Sequence, residues 1–138
     1  MRHRLLLLFV LFVSCTSNPT DQGQTAARTG RVDCVEVLYF HTAQRCATCR
    51  AIEKLTQEVL RADFATSLKK GQVVFRILDI STQEGEQVAD HYQVAGSALL
   101  LDKNGSIENL TNTGFTYARR QPEVFKFQLR EALKKQLK

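Results

Sequence analysis

Two cysteines three positions apart, in Arg45-Cys46-Ala47-Thr48-Cys49-Arg50, are the residues of this chain whose type and spacing can do chemistry. They lie between an apolar run, Val35 to His41, and an amphipathic run, Arg50 to Leu60, which places them at a strand-to-helix junction. A thiol at a helix N-terminus meets unpaired backbone N–H groups and the positive end of the helix dipole. Both favour the thiolate, so the ordinary cysteine pKa of roughly 8.5 can fall by units. Arg45 and Arg50 are expected to push the same way. Cys49, one turn on, faces the same side and can close a disulfide with Cys46. On this reading Cys46 attacks and Cys49 resolves.

The same spacing also serves as half of a zinc site, whose four-ligand form takes a second pair. Cys15 and Cys34 do not provide that pair, and His3, His41 and His91 are scattered. Three alternatives to the redox dithiol therefore stand beside it. Cys46 and Cys49 could hold a soft metal, a metalloid or a cluster shared with a second copy. They could form a purely structural disulfide, or be inert thiols. The motif rule favours the redox dithiol, with no cofactor beyond the Cys46–Cys49 pair itself.

The elements that must position the pair follow from periodicity. Cys34 to His41 is rich in β-formers and almost continuously apolar from Val37, as in a strand buried on both faces of a parallel sheet. Cys34 opens this strand, and seven steps of ~3.3 Å put it about 23 Å from His41. A disulfide requires Cα atoms within roughly 7 Å, so Cys34 reads as a lone small apolar residue or an off-site thiol. The helix is expected from Cys46 to Leu60, with Cys49, Ile52, Leu55 and Val59 inward and Glu53, Lys54 and Gln57 outward.

Ala62 to Lys70 suggests a second helical piece capped by Asp63 and stopped by Gly71. Val73 to Ile80 reads as a second parallel strand, ending near Asp79, which suits a turn-capping role. Ser81 or Thr82 can cap a helix over Gln83 to Tyr92. Ala98 to Leu101 and Ser106 to Thr111 form a hairpin around Asn104-Gly105. A polar link, Asn112 to Gln121, leads to a last helix opened by Pro122, whose apolar face is Phe125, Leu129, Ala132, Leu133 and Leu137.

The chain has 138 residues, enough for one domain. Met1-Arg2-His3-Arg4 is a basic head, Leu5 to Val13 an unbroken apolar run, and Ser14 to Ser17 small or polar. That is the layout of a bacterial export signal, too short for the ~20 residues of a membrane-spanning helix. Phe12-Val13-Ser14-Cys15 resembles a bacterial lipobox, with Phe12 where leucine is usual. The resemblance implies that Cys15 is lipidated and becomes the mature N-terminus; ordinary signal cleavage nearby is the alternative. Either places the domain on the periplasmic side of a bacterial membrane, in a space that permits disulfides.

Residues 1–15 are thus read as the signal, 16–32 as a flexible tether of small and polar residues, and 33–138 as the domain. Without residues 1–15, Lys plus Arg falls from 19 to 17 against 14 acidic residues, a net charge of +3. The basic residues are dispersed and do not alternate with aromatics, which argues against nucleic acid as a partner.

The order strand, CxxC helix, strand, helix, hairpin, helix resembles the thioredoxin fold from Val35 to Leu137, with Cys46-Ala47-Thr48-Cys49 in the active-site position. An α/β domain with a central mixed sheet of about four strands flanked by helices is therefore expected. Tyr39-Phe40-His41 with Arg45-Cys46-Ala47-Thr48-Cys49-Arg50-Ala51-Ile52-Glu53 further resembles a small bacterial thioredoxin-like family catalogued as a nitrophenyl-compound nitroreductase subunit. The chain carries no flavin or nicotinamide fingerprint.

Two departures from thioredoxins stand out. Val94-Ala95-Gly96-Ser97-Ala98-Leu99 aligns with the thioredoxin cis-proline turn and puts Ala98 in the proline position, so a trans Ser97–Ala98 bond is expected. The resemblance implies that losing this proline favours metal binding at the dithiol. Arg45 replaces the usual tryptophan, and no acid occupies Val37 to His41, which leaves His41 as a candidate proton acceptor. The expected function is an exported thiol-disulfide oxidoreductase acting on a protein thiol or disulfide partner. Its rivals are a metal or metalloid site at Cys46 and Cys49, and an accessory docking subunit.

Overall fold

The structure, a computed structural model, describes residues 33–138. The segments expected to be an export signal, a lipobox with Cys15 and a tether to residue 32, together with His3, lie outside the described residues. Four strands form one sheet in the order β2-β1-β3-β4: β1 (Val35–His41), β2 (Val73–Asp79), β3 (Ala98–Lys103) and β4 (Ser106–Asn109). β1 pairs parallel with β2 and antiparallel with β3, and β3 pairs antiparallel with β4. The helices are α1 (Ala47–Asp63), α2 (Ala65–Lys69), α3 (Gln83–His91), α4 (Thr111–Tyr117) and α5 (Pro122–Gln136). This mixed four-stranded sheet with helices on both faces is the expected α/β architecture.

β1 is central, and its alternate residues feed two cores. Val35, Val37 and Tyr39 join Ile52, Leu55, Val59 and Leu60 of α1, Leu99 and Leu101 of β3, and Phe125, Leu129 and Leu133 of α5. Leu38 and Phe40 point the other way, onto Leu78, Ala98, Leu100 and Ala89 of α3. Burial on both sides explains why β1 reads as an unbroken apolar run. The α5 face anticipated from spacing is the one that is buried. At the β3–β4 hairpin Asn104 and Gly105 both take positive φ (55° and 88°), and Gly105 N–H donates to Asp102 Oδ1 at 2.7 Å. Such backbone angles are what the Asn-Gly pair supplies.

Three local expectations are corrected. Asp63 does not cap a second helix: it sits in the last turn of α1 and accepts from Arg130 Nε of α5 at 2.9 Å. The position preceding α2 is Phe64, which is buried in the main core.

The presumed polar link contains α4. Its start is held by Asn109 Oδ1, which accepts from Thr111 N–H at 2.9 Å, and by Thr111 Oγ1, which accepts from Leu99 N–H at 3.0 Å. Small residues let it lie against α1: a Cβ on Gly114 would stand 2.9 Å from Ile52 Cδ1.

Glu53 is not an outward residue; its carboxylate pairs with Arg45. Among the described residues no helix is long and apolar enough to cross a membrane.

Candidate active site

The C-terminal end of β1 and the N-terminal end of α1 bring the two cysteines together. Cys46 is the N-cap of α1, in extended backbone (φ −73°, ψ 166°), and its sulfur accepts from Cys49 N–H at 3.1 Å. The sulfur therefore takes the place of the usual serine or aspartate oxygen at a helix start. Cys46 is exposed, Cys49 is only 5% exposed, both thiols are free, and their sulfurs lie 2.6 Å apart. The accessible sulfur is thus the one that can meet a partner, and the buried one stands directly behind it.

The Cys46 thiol is more acidic than an ordinary cysteine. The main cause is the Cys49 thiol beside it, followed by the Cys49 backbone N–H, with a smaller contribution from the Thr48 backbone; partial desolvation opposes them. The flanking arginines, expected to act on this thiol as well, also make contacts of their own. Arg45 pairs with Glu53, and Arg50 Nη1 donates to the Arg45 carbonyl oxygen at 2.6 Å. The second thiol and the backbone N–H at the helix N-terminus are the largest acidifying influences on it.

The loop before Cys46 is tied at its start to the turn after β2. Ile80 N–H donates to the His41 carbonyl at 2.9 Å, and Ala43 N–H donates to Ser81 Oγ at 3.0 Å. Thr42 Oγ1 donates to the Gln44 carbonyl at 2.8 Å. Asp79, as expected, serves the next turn: its Oδ1 accepts from Ser81 N–H at 2.9 Å. That bond, above all, holds its carboxyl below the usual range, with His41 and Arg45 adding to it. His41 Nδ1 donates to the Thr42 carbonyl at 3.0 Å, and no hydrogen bond joins the ring to either sulfur among the described residues.

Three further side chains reach the dithiol region. Tyr39, fully buried on β1, donates its hydroxyl to the Cys49 carbonyl at 2.7 Å, and burial pushes its phenol up to about 12. Arg45 stacks over the Tyr39 ring with 5.9 Å between guanidinium carbon and centroid, and reaches Glu53 two turns into α1. Ser97 Oγ lies 3.7 Å from Cys49 Sγ. Helical spacing alone sends Glu53 outward, because spacing does not reveal that the loop bearing Arg45 folds over that face. The signal available for it was charge complementarity to Arg45. Ser97 had no such signal, because its place depends on β3 lying beside β1.

Ala98, also expected at the site, is buried at the start of β3, and the Ser97–Ala98 bond is trans, since no cis peptide occurs among the described residues. Cys34 is a half-buried free thiol immediately before β1, at the opposite end of that strand from the dithiol. Among the described residues no group of three or more His, Cys, Asp or Glu side chains is placed to hold a metal ion. A metal at Cys46 and Cys49 would need its other ligands from outside this group, such as a second copy.

No family model matches the chain, and no curated protein matches it. The resemblance to the nitroreductase-subunit family therefore gains no support. Among solved structures, the chain is similar to one described as the structure of a malarial protein, at 17% identity and a TM-score of 0.46. That match covers 70% of this chain and 98% of the other. It is also similar to the solution structure of a thioredoxin from Thermus thermophilus, at 22% identity and a TM-score of 0.38. Here 72% of this chain and 74% of the other are covered.

Proposed function

We propose that the chain is an exported thiol-disulfide oxidoreductase that acts on a protein partner and is held at a membrane through lipidated Cys15. The observation that carries the reading is the asymmetry of the dithiol. Cys46 is exposed and acidified at a helix N-cap, and Cys49 is buried 2.6 Å behind it. The Cys46 thiolate attacks one sulfur of the partner's disulfide, forming a mixed disulfide and releasing the other sulfur as a thiolate. Cys49 then loses its proton and attacks Cys46 Sγ, closing the Cys46–Cys49 disulfide and releasing the second partner sulfur. Two electrons pass from the dithiol to the partner, and the reverse sequence oxidises a partner dithiol. The basic head, apolar run and Cys15 of the N-terminal segment support export and anchoring.

The test is a thiol-trapping redox titration of the full-length chain carrying Cys15→Ser and Cys34→Ser, in glutathione and dithiothreitol buffers. One reversible two-electron step between Cys46 and Cys49 is expected, and its midpoint gives the direction of electron flow. If no disulfide forms across that range, or trapping succeeds only after a chelator is added, exchange chemistry is ruled out and the metal-binding alternative takes its place.

A further inference from the structure

Arg45 immediately precedes the attacking cysteine, and three observations show that its charge is managed. The guanidinium is only 26% exposed, and its partner is the Glu53 carboxylate, itself 19% exposed. Its Nε is buried with no hydrogen-bond partner among the described residues, so the side chain is held there by the carboxylate and the Tyr39 ring rather than by a full set of acceptors. Tyr39 in turn donates to the Cys49 carbonyl, so Glu53, Arg45 and Tyr39 form a continuous polar chain from the second turn of α1 to the resolving cysteine.

We propose that Glu53 is a positioning residue for the dithiol: by pairing with Arg45, the residue before Cys46, it fixes where that guanidinium sits over the Tyr39 ring and how much net charge reaches the sulfur. An arginine next to a reactive thiol, left alone, would favour the thiolate strongly. A carboxylate of opposite sign on the same guanidinium cancels most of that field beyond the pair. The thiol is then governed mainly by its short-range donors, the Cys49 thiol and the Cys49 N–H, which are the largest of the causes that act on it. Other charged or titratable groups around the dithiol are Arg50 on α1, Tyr39 and His41 on β1, and Asp79 at the end of β2. None of these is removed by changing Glu53. The biological weight of this inference rests on the oxidoreductase reading above.

Opposite signs make the idea testable. In Glu53→Gln the guanidinium is uncompensated, so the pH midpoint of Cys46 alkylation by iodoacetamide falls by about half a unit, or about threefold in thiolate at a fixed acidic pH. In Arg45→Gln the carboxylate is left, and the midpoint rises by a similar amount. The double variant returns close to the parent. All are measured in the full-length chain with Cys15→Ser and Cys34→Ser, with thermal melting run alongside so that only folded variants are compared. Midpoints that move the same way in both single variants, that do not move, or that fail to return in the double variant overturn the proposal. Should either glutamine variant fail to fold, Glu53→Asp and Arg45→Lys keep the charges. Midpoints within about 0.2 units of the parent in these two then support charge as the agent, and larger shifts overturn it. Alkylation does not require exchange activity. A parent that cannot form the Cys46–Cys49 disulfide therefore defeats the oxidoreductase reading and leaves this comparison standing.

Discussion

Replacing Gly85 by alanine puts a Cβ 1.9 Å from the Asp79 carbonyl oxygen, 2.5 Å from its carbonyl carbon and 3.1 Å from Ile80 N. Ordinary carbon contacts lie at roughly 3.5–4.0 Å, so α3 and the end of β2 must separate by more than an ångström. Both sides of the clash are backbone, and no rotamer change relieves it. The movement also stretches the cap of α3, where Thr82 Oγ1 accepts from Gly85 N–H at 3.1 Å and donates to the Asp79 carbonyl at 2.8 Å. Overpacking costs about 1–3 kcal/mol and a lost cap about 1 kcal/mol. The better helix propensity of alanine returns about 1 kcal/mol at most. A net loss of about 2 kcal/mol is expected, which lowers Tm by roughly 8 °C or more for a domain of this size.

The same strain reaches the site, because Ser81, next to this junction, accepts from Ala43 N–H in the loop before Cys46. Urea denaturation of the reduced protein, together with the rate of Cys46 alkylation, measures both effects. A Gly85→Ala protein within about 0.5 kcal/mol of the parent would refute the reasoning, since surface changes away from such features fall in that range.

Gly114→Ala makes the matching control: its Cβ would meet the flexible end of Ile52 at 2.9 Å, so a loss below about 1.5 kcal/mol is expected by the same denaturation assay. Thr56→Val should be neutral or stabilising by up to about 1 kcal/mol in urea. Thr56 is fully buried, and its Oγ1 has no hydrogen-bond partner among the described residues, so removing the hydroxyl removes an uncompensated desolvation. Cys49→Ala should raise the pH midpoint of Cys46 alkylation, because it deletes the largest acidifying group, and Cys49→Ser should raise it less, because a hydroxyl still donates.

Tyr39 should stay protonated in the folded protein to about pH 12. A phenol raised on folding leaves stability intact below its unfolded value near 10, and that stability is lost as pH climbs from there toward 12. Absorbance at 295 nm should therefore show ionisation of Tyr39 coinciding with alkaline unfolding monitored by circular dichroism. Finally, Cys15→Ser should move the protein from the membrane fraction to the soluble periplasmic fraction of a bacterial host. Retention in the membrane would overturn anchoring through that residue.

The closeness of the cysteine pair and the strand-helix order were legible in the sequence because each leaves a local trace. The Cys46–Cys49 spacing is fixed by one helical turn, and β1 and α5 announce themselves by apolar runs and by a face at 3.6-residue spacing. The hairpin at Asn104-Gly105 follows from backbone conformations that few residue pairs adopt. What had no local trace was decided by packing. α4 has little apolar periodicity, and its helix depends on Gly114 approaching Ile52 and on Thr111 binding the β3 backbone. Glu53 faces Arg45, and Ser97 reaches Cys49, only because a loop and a neighbouring strand close over α1. A sequence shows that Arg45 and Glu53 are both present, whereas only the folded chain shows that they pair.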